Sequence, residues 1–244
     1  MQAEEKKRTV KALQAKINAM QKLGKLSNEP VTRGLAPFTN AFPDRIFPTG
    51  AIHEFISYAP ANAASTSGFI TALASKFMKD NGLCLWIGNG RKVFPSALKH
   101  FGLQPDRVVF INSTKIKDTL WIIEEALKCE ALTAVVSEIK ELSFTESRRL
   151  QLAVERSGVT GFIHRFCPHA ENATACTTRW KITSLPAVVN DDLPGVGFSN
   201  WRVELLKVKN GRPVSWEVSF SDGNFQENSE RQITLQPNYE RNAV

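Results

Sequence analysis

From Ala51 to His164 the chain alternates short β-branched and aromatic runs with helical stretches, and no other feature of its 244 residues constrains the fold as much. Strand, helix, strand in succession implies parallel strands joined by crossover helices. Strands are predicted at Ala51–Ser57, Leu83–Gly88, Arg107–Asn112, Thr133–Glu138 and Val159–His164. Between them, Thr66–Lys79 carries Phe69, Leu73 and Phe77 on one face, and Ile116, Leu120, Ile123 and Leu127 form a second apolar stripe. Ser143-Phe-Thr-Glu146 has the pattern of a capping box and opens a helix to about Ser157. After His164 the runs Thr178–Leu185, Trp201–Lys209 and Val214–Ser221 follow one another with no helix between them. Lys209-Asn210-Gly211-Arg212 is a hairpin signal, because Asn-Gly accepts the positive φ of a type I′ turn. The expected fold class is α/β: a mainly parallel sheet with an antiparallel C-terminal extension.

A separate element precedes the sheet. Val10, Leu13, Ile17 and Met20 fall at spacings of three, four and three, an amphipathic helix that Gly24 ends. The chain carries a net charge of +7, and residues 1–26 hold seven basic groups (Lys6, Lys7, Arg8, Lys11, Lys16, Lys22, Lys25) against Glu4 and Glu5. The positive charge is thus concentrated on this arm, which suits a polyanion or an acidic partner. Residues 27–48 contain Pro30, Pro37, Pro43 and Pro48 without periodicity and read as an extended linker. The expected organisation is arm 1–26, linker 27–48, core 49–225 and a polar tail 226–244. With 42% hydrophobic and 23% charged residues, collagen-like and wholly disordered classes are excluded. No apolar run approaches the ~20 residues of a membrane span, and the N-terminus has no apolar signal region, so a cytoplasmic protein with free thiols at Cys84, Cys129, Cys167 and Cys176 is expected.

In an open α/β sheet, ligands gather beyond the carboxyl ends of the strands, which directs attention to the turn after the first strand. It reads Tyr58-Ala-Pro-Ala-Asn-Ala-Ala-Ser-Thr-Ser67. A phosphate loop uses glycines for close backbone approach, a lysine for the β- and γ-phosphates and a Ser or Thr for magnesium. Here the glycines and the lysine are missing.

Gly50-Ala-Ile-His-Glu-Phe-Ile, Tyr58-Ala-Pro and the Ser/Thr-opened helix resemble the first strand and phosphate loop of the RecA recombinase fold. Set on that pattern, Ala59 and Ala64 stand where glycines belong, Ser65 replaces the lysine and Thr66 keeps its type. Gly90 stands in place of the catalytic glutamate and Ser137 in place of the metal-binding aspartate. The combination is similar to the ImuA family, RecA-like accessory proteins of bacterial error-prone repair, over roughly Ile46 to Phe225. Arg45-Ile-Phe-Pro-Thr-Gly-Ala-Ile-His-Glu-Phe is its most specific piece. The segment Lys11–Lys25 looks like the helix with which RecA protomers pack on a neighbour. The resemblance implies a RecA-like core, a non-enzymatic role in SOS-induced translesion synthesis, and partners: RecA or a second copy through the arm, an inactive Y-family polymerase-like protein and a C-family polymerase. A SulA-like cell-division inhibitor and an atypical P-loop-like NTPase are the alternatives.

Other constellations carry less. His164, Cys167, His169 and Cys176 offer zinc-type ligands, but their spacing matches no common finger and no metal or other cofactor is expected. By the RecA resemblance this segment falls where the recombinase carries its second DNA-binding loop, here shortened into a mobile loop. Arg165, Arg179 and Lys181 flank it and, with Lys6, Lys7, Arg8 and Lys11, are the candidate phosphate contacts for weak DNA binding. His53-Glu54 and Glu124-Glu125 read as structural. The five tryptophans, 86, 121, 180, 201 and 216, read as packing residues, and an exposed one would indicate a partner surface.

Overall fold

The computed structural model describes residues 34–78, 82–88, 93–188, 198–209 and 211–228. The elements are β1 (Ile52–Ser57), α1 (Pro60–Phe77), β2 (Cys84–Gly88), α2 (Pro95–His100), β3 (Val108–Asn112), α3 (Ile116–Lys128), β4 (Ala134–Ile139), α4 (Phe144–Ser157) and β5 (Thr160–Phe166), followed by β6 (Thr178–Val188), β7 (Phe198–Val208), β8 (Val214–Ser221) and β9 (Asn224–Glu227). All nine strands form one sheet in the order β3-β2-β4-β5-β1-β6-β7-β8-β9. β1 to β6 are mutually parallel, and β7, β8 and β9 add antiparallel.

The parallel sheet and antiparallel extension read from the sequence are present, with one change. β6 was expected in the antiparallel part, yet it pairs parallel to β1, His53 opposite Thr178. A parallel neighbour requires the chain to return across the sheet, and residues 167–177 do so without a helix.

One face of the sheet carries α1 and α2 and the other α3 and α4. On the first face Phe69, Leu73 and Phe77 of α1 meet Phe55, Phe162, Trp180 and Trp216 from the strands. On the second, Ile123 and Leu127 of α3 and Leu150 and Val154 of α4 pack on Ile52, Val135 and Ile163. The capping box of α4 is formed: Glu146 N–H donates to Ser143 Oγ (3.2 Å) and Ser143 N–H to Glu146 Oε2 (2.8 Å). Gly158 ends the helix at φ +77°, a left-handed conformation that glycine adopts without strain.

Residues 34–47 are not the extended linker that their prolines suggest. They make two 3-10 turns, Phe38–Ala41 and Pro43–Arg45, and bury Leu35, Phe38, Phe42 and Phe47. Phe38 meets Phe69, Trp216 and Phe225 edge-on, with centroids 5.4, 5.3 and 5.0 Å apart. Strands β6 to β9 alternate, turning Trp180, Trp201, Trp216 and Phe225 to this side. The aromatic plug covers Trp180, Trp216 and Phe225. Phe225 belongs to β9, so the core runs to Glu227, beyond the boundary at 225. The arm 1–26 and the tail beyond residue 228 lie outside the described residues.

Candidate functional site

At the carboxyl end of β1 the expected phosphate loop does not exist as a loop. α1 begins at Pro60, three residues after β1 ends, so Ala64, Ser65 and Thr66 sit in its second turn and Ala59 is its N-cap. Local chemistry accounts for this. Proline is pre-organised for the first helical position, and Ala61, Ala63 and Ala64 follow with no glycine to lower helix propensity. Backbone that would have to curl around a phosphate is bonded as helix from its first turn, Ala63 N–H donating to the Ala59 carbonyl at 3.0 Å.

Thr66 keeps its residue type but not a free hydroxyl. It is fully buried, donates to the Asn62 carbonyl (2.7 Å) and lies 2.8 Å from Ser57 Oγ, which lies 2.9 Å from His164 Nε2. Thr66, Ser57 and His164 thus form one buried chain of hydrogen bonds under α1.

Ser137, the residue in the metal-aspartate position, is fully buried and its hydroxyl has no partner. Alternation along β4 places it with Val135 on the α3/α4 side, whereas Val136 and Glu138 face α1. Glu138 is 6% exposed and lines a cleft of about 420 Å³ between α1 and α2, together with Ser67, Gly68, Thr71, Leu98 and Phe101. An acidic group thus remains at the end of β4, one residue after the expected position, and it was missed. Strand alternation from Val136 could have located it. Gly90 lies outside the described residues.

A second constellation sits on the opposite side of β1. Glu54 is fully buried, yet it accepts from Arg165 Nη1 (2.8 Å), Arg179 Nε (2.9 Å) and Thr174 Oγ1 (2.8 Å). The same arginines hold the helix-free crossover, Arg165 Nη2 donating to the Ala170 carbonyl (3.1 Å) and Arg179 Nη2 to the Asn172 carbonyl (2.6 Å). Lys207 Nζ takes the Thr174 carbonyl (2.7 Å), and Ala175 N–H donates to Ser147 Oγ (2.9 Å). Residues 167–177 are a tied strap and not the mobile loop expected. Arg165 is fully buried and Arg179 nearly so, which corrects their reading as phosphate contacts. Lys181 pairs with Glu204 across β6 and β7 at 3.0 Å. The other proposed phosphate contacts, Lys6, Lys7, Arg8 and Lys11, and the stripe Val10, Leu13, Ile17 and Met20 lie outside the described residues.

The four zinc-type residues are not brought together. His164 is engaged with Ser57 under α1, Cys176 is buried on the opposite face of the sheet, Cys167 Sγ contacts the Tyr58 carbonyl (3.2 Å), and His169 is exposed beside Glu141. Burial pushes the Cys84 and Cys176 thiols up to about 12, so neither is a thiolate at neutral pH. His53 is buried between the Pro48 carbonyl (2.9 Å from Nε2) and Thr178 Oγ1 (2.8 Å from Nδ1), and desolvation lowers its pKa to about 4. Glu124 and Glu125 form surface ion pairs with Lys128 at 3.1 and 2.8 Å. Four tryptophans are core residues, but Trp121 on α3 is 63% exposed, which departs from the packing role expected of it.

A mainly parallel α/β sheet with helices on both faces and an antiparallel extension, whose first strand runs into a helix at Pro60, defines an α/β core without the backbone cradle of a phosphate loop. The chain is similar to Protein ImuA of Caulobacter vibrioides (strain NA1000 / CB15N), 28% identical over 187 residues that cover 72% of this chain and 77% of the relative. It is also similar to the cell division inhibitor SulA of Yersinia pestis (strain Pestoides F), 29% identical over 130 residues, 52% of this chain and 76% of that one. No family model matches the chain.

Proposed function

We propose that this protein is a non-catalytic, cytoplasmic accessory of SOS-induced translesion DNA synthesis that acts through contacts with RecA and a polymerase complex. The observation that carries the reading is the start of α1 at Pro60. It leaves no backbone cradle for phosphates, and Thr66, the one loop residue of the right type, has its hydroxyl engaged by Ser57 and Asn62. A RecA-type sheet without its nucleotide loop is a scaffold for protein contacts, and the similarity to ImuA directs the choice of process. The exposed Trp121 and the arm's apolar stripe are the surfaces through which such contacts would run. Weak, salt-sensitive DNA contact through the arm's lysines is compatible with this role.

Two measurements test it. The purified chain should hydrolyse no ATP above background; hydrolysis lost in Glu138→Gln would mean that the β4 carboxylate still holds a metal and would overturn the non-catalytic reading. Deleting the gene should lower damage-induced mutation frequency, and unchanged frequency would reject the process. The SulA similarity supports a second reading, inhibition of cell division, which predicts filamentous cells on overproduction.

A further inference from the structure

The first half of α1 exposes no large side chain, and the ground on either side of it is hollow. The cleft of about 420 Å³ toward α2 and a second of about 330 Å³ toward the β6–β7 end share Ala64, Gly68 and Phe101. Together they form one groove over α1, walled by Leu98 and Phe101 on one side and by Leu185 and the half-exposed Phe198 on the other. Gly68 keeps it tight: a Cβ there would come within 2.9 Å of the Phe101 ring. The lobe toward α2 is mostly apolar apart from Glu138, Ser67 and Thr71, and the lobe toward β6 and β7 mixes Leu185, Phe198 and Trp201 with Ser65, Ser184, Ser199 and Asn200.

We infer that the occupant is the amphipathic segment at the N-terminus of the same chain, residues 10–20, docked by Val10, Leu13, Ile17 and Met20. The argument is where the described chain begins. Gly34 lies against the side chain of Lys76, in the last turn of α1, on the side of the sheet that carries the groove. From Lys76 back to Ala64 is twelve residues of helix, about 18 Å at 1.5 Å per residue. Residues 27–33 extend to about 23–25 Å, so the end of the arm reaches the groove without crossing the sheet. A short tether gives an effective concentration of the order of millimolar, which favours this docking over capture of a second copy in dilute solution. The stripe needed for the proposed partner contact would then be covered until a partner offers a better groove.

The test uses the full chain alone, so its outcome is independent of whether the translesion role holds. Tryptic cleavage after Lys11 and Lys16 and the solution mass by light scattering are compared for the wild type, Leu13→Asp and Ala64→Arg. Ala64→Arg fills the groove at an exposed helical position; Leu13→Asp lies outside the described core. Docking predicts a monomer whose arm is cleaved about tenfold more slowly than in either variant, at a rate independent of protein concentration. Equal rates in the wild type and Leu13→Asp would overturn it. So would protection that appears only as the mass doubles, which would make a second copy the occupant. Should Ala64→Arg not fold, Leu13→Asp decides alone.

Discussion

The β1–α1 junction and the strap 167–177 lie on either side of β1, and both occupy places where the RecA resemblance puts a chemistry-bearing loop. Both have become fixed structure, by different forces. At the junction the change is local: Pro60 and the alanines after it extend a helix into the loop. In the strap nothing local imposes order, since residues 167–177 have no regular secondary structure. A buried carboxylate shared by two arginines orders them instead, and the guanidinium groups reach on to the strap's carbonyls. Helix propensity is additive and modest per residue, whereas a buried ion centre acts as a unit. The junction should therefore yield gradually to mutation and the strap abruptly.

The strap gives the largest expected effect. Glu54→Gln leaves the buried Arg165 with only the half-exposed Glu141, 3.3 Å from its Nη2, as counter-charge, and removing the buried partner of such a pair costs about 3–5 kcal/mol. Denaturant unfolding should show that loss, together with faster amide exchange across 167–177. A loss below about 1 kcal/mol would mean that water or Glu141 can replace Glu54, and that the strap is no more a unit than the junction is.

A pH effect follows at the far end of the strap, where Thr178 holds His53. The imidazole has a pKa of about 4 in the folded protein against 6.5 when unfolded, so between those values the unfolded chain binds the extra proton. Stability should fall as pH drops from 6.5 towards 4 and this contribution should level off below, at about 1.4 kcal/mol per unit of pH within the window. In His53→Asn the slope over that range should be shallower. Equal slopes in both proteins would place the acid sensitivity elsewhere.

The junction should respond in smaller steps. Ala61→Gly and Ala64→Gly, at exposed helical positions, should each cost about 1 kcal/mol and together about 2, with no ATP hydrolysis gained. A double variant that unfolds would show that the junction is as cooperative as the strap. Smallest is Thr66→Ala, which removes one buried hydroxyl from the chain of His164, Ser57 and Thr66 and should cost about 1 kcal/mol with no change in nucleotide binding.

The two regions also differ in how far they were legible in the sequence. The missing glycines and lysine at 58–67 were plain, and so was a helix beyond them; only its start was read six residues late, at Thr66 instead of Pro60, because a loop was expected there. The capping box at Ser143 and the stripes of α1 and α3 were equally plain, being properties of residues within one or two turns of each other. Glu54 and Arg165 stand 111 positions apart, and nothing in a strand pattern says that they meet. Arg165 read as a surface cation because arginine is seldom fully buried without a partner. Residues 34–47 misled for the same reason: prolines mark a break in regular structure, but not whether the broken chain is packed.

What the sequence determined by itself is whatever depends on neighbours in the chain: the α/β alternation, the helix faces, the caps, the hairpin between β7 and β8, and the loss of the phosphate loop. The tertiary structure alone decided which way β6 runs, where Arg165 and Arg179 point, that Phe38 closes the aromatic core, and that Trp121 stays outside it. The physical reason is range. Propensity and periodicity act over a few residues, whereas burial of a charge or an aromatic ring is fixed by whatever distant segment the sheet order brings against it.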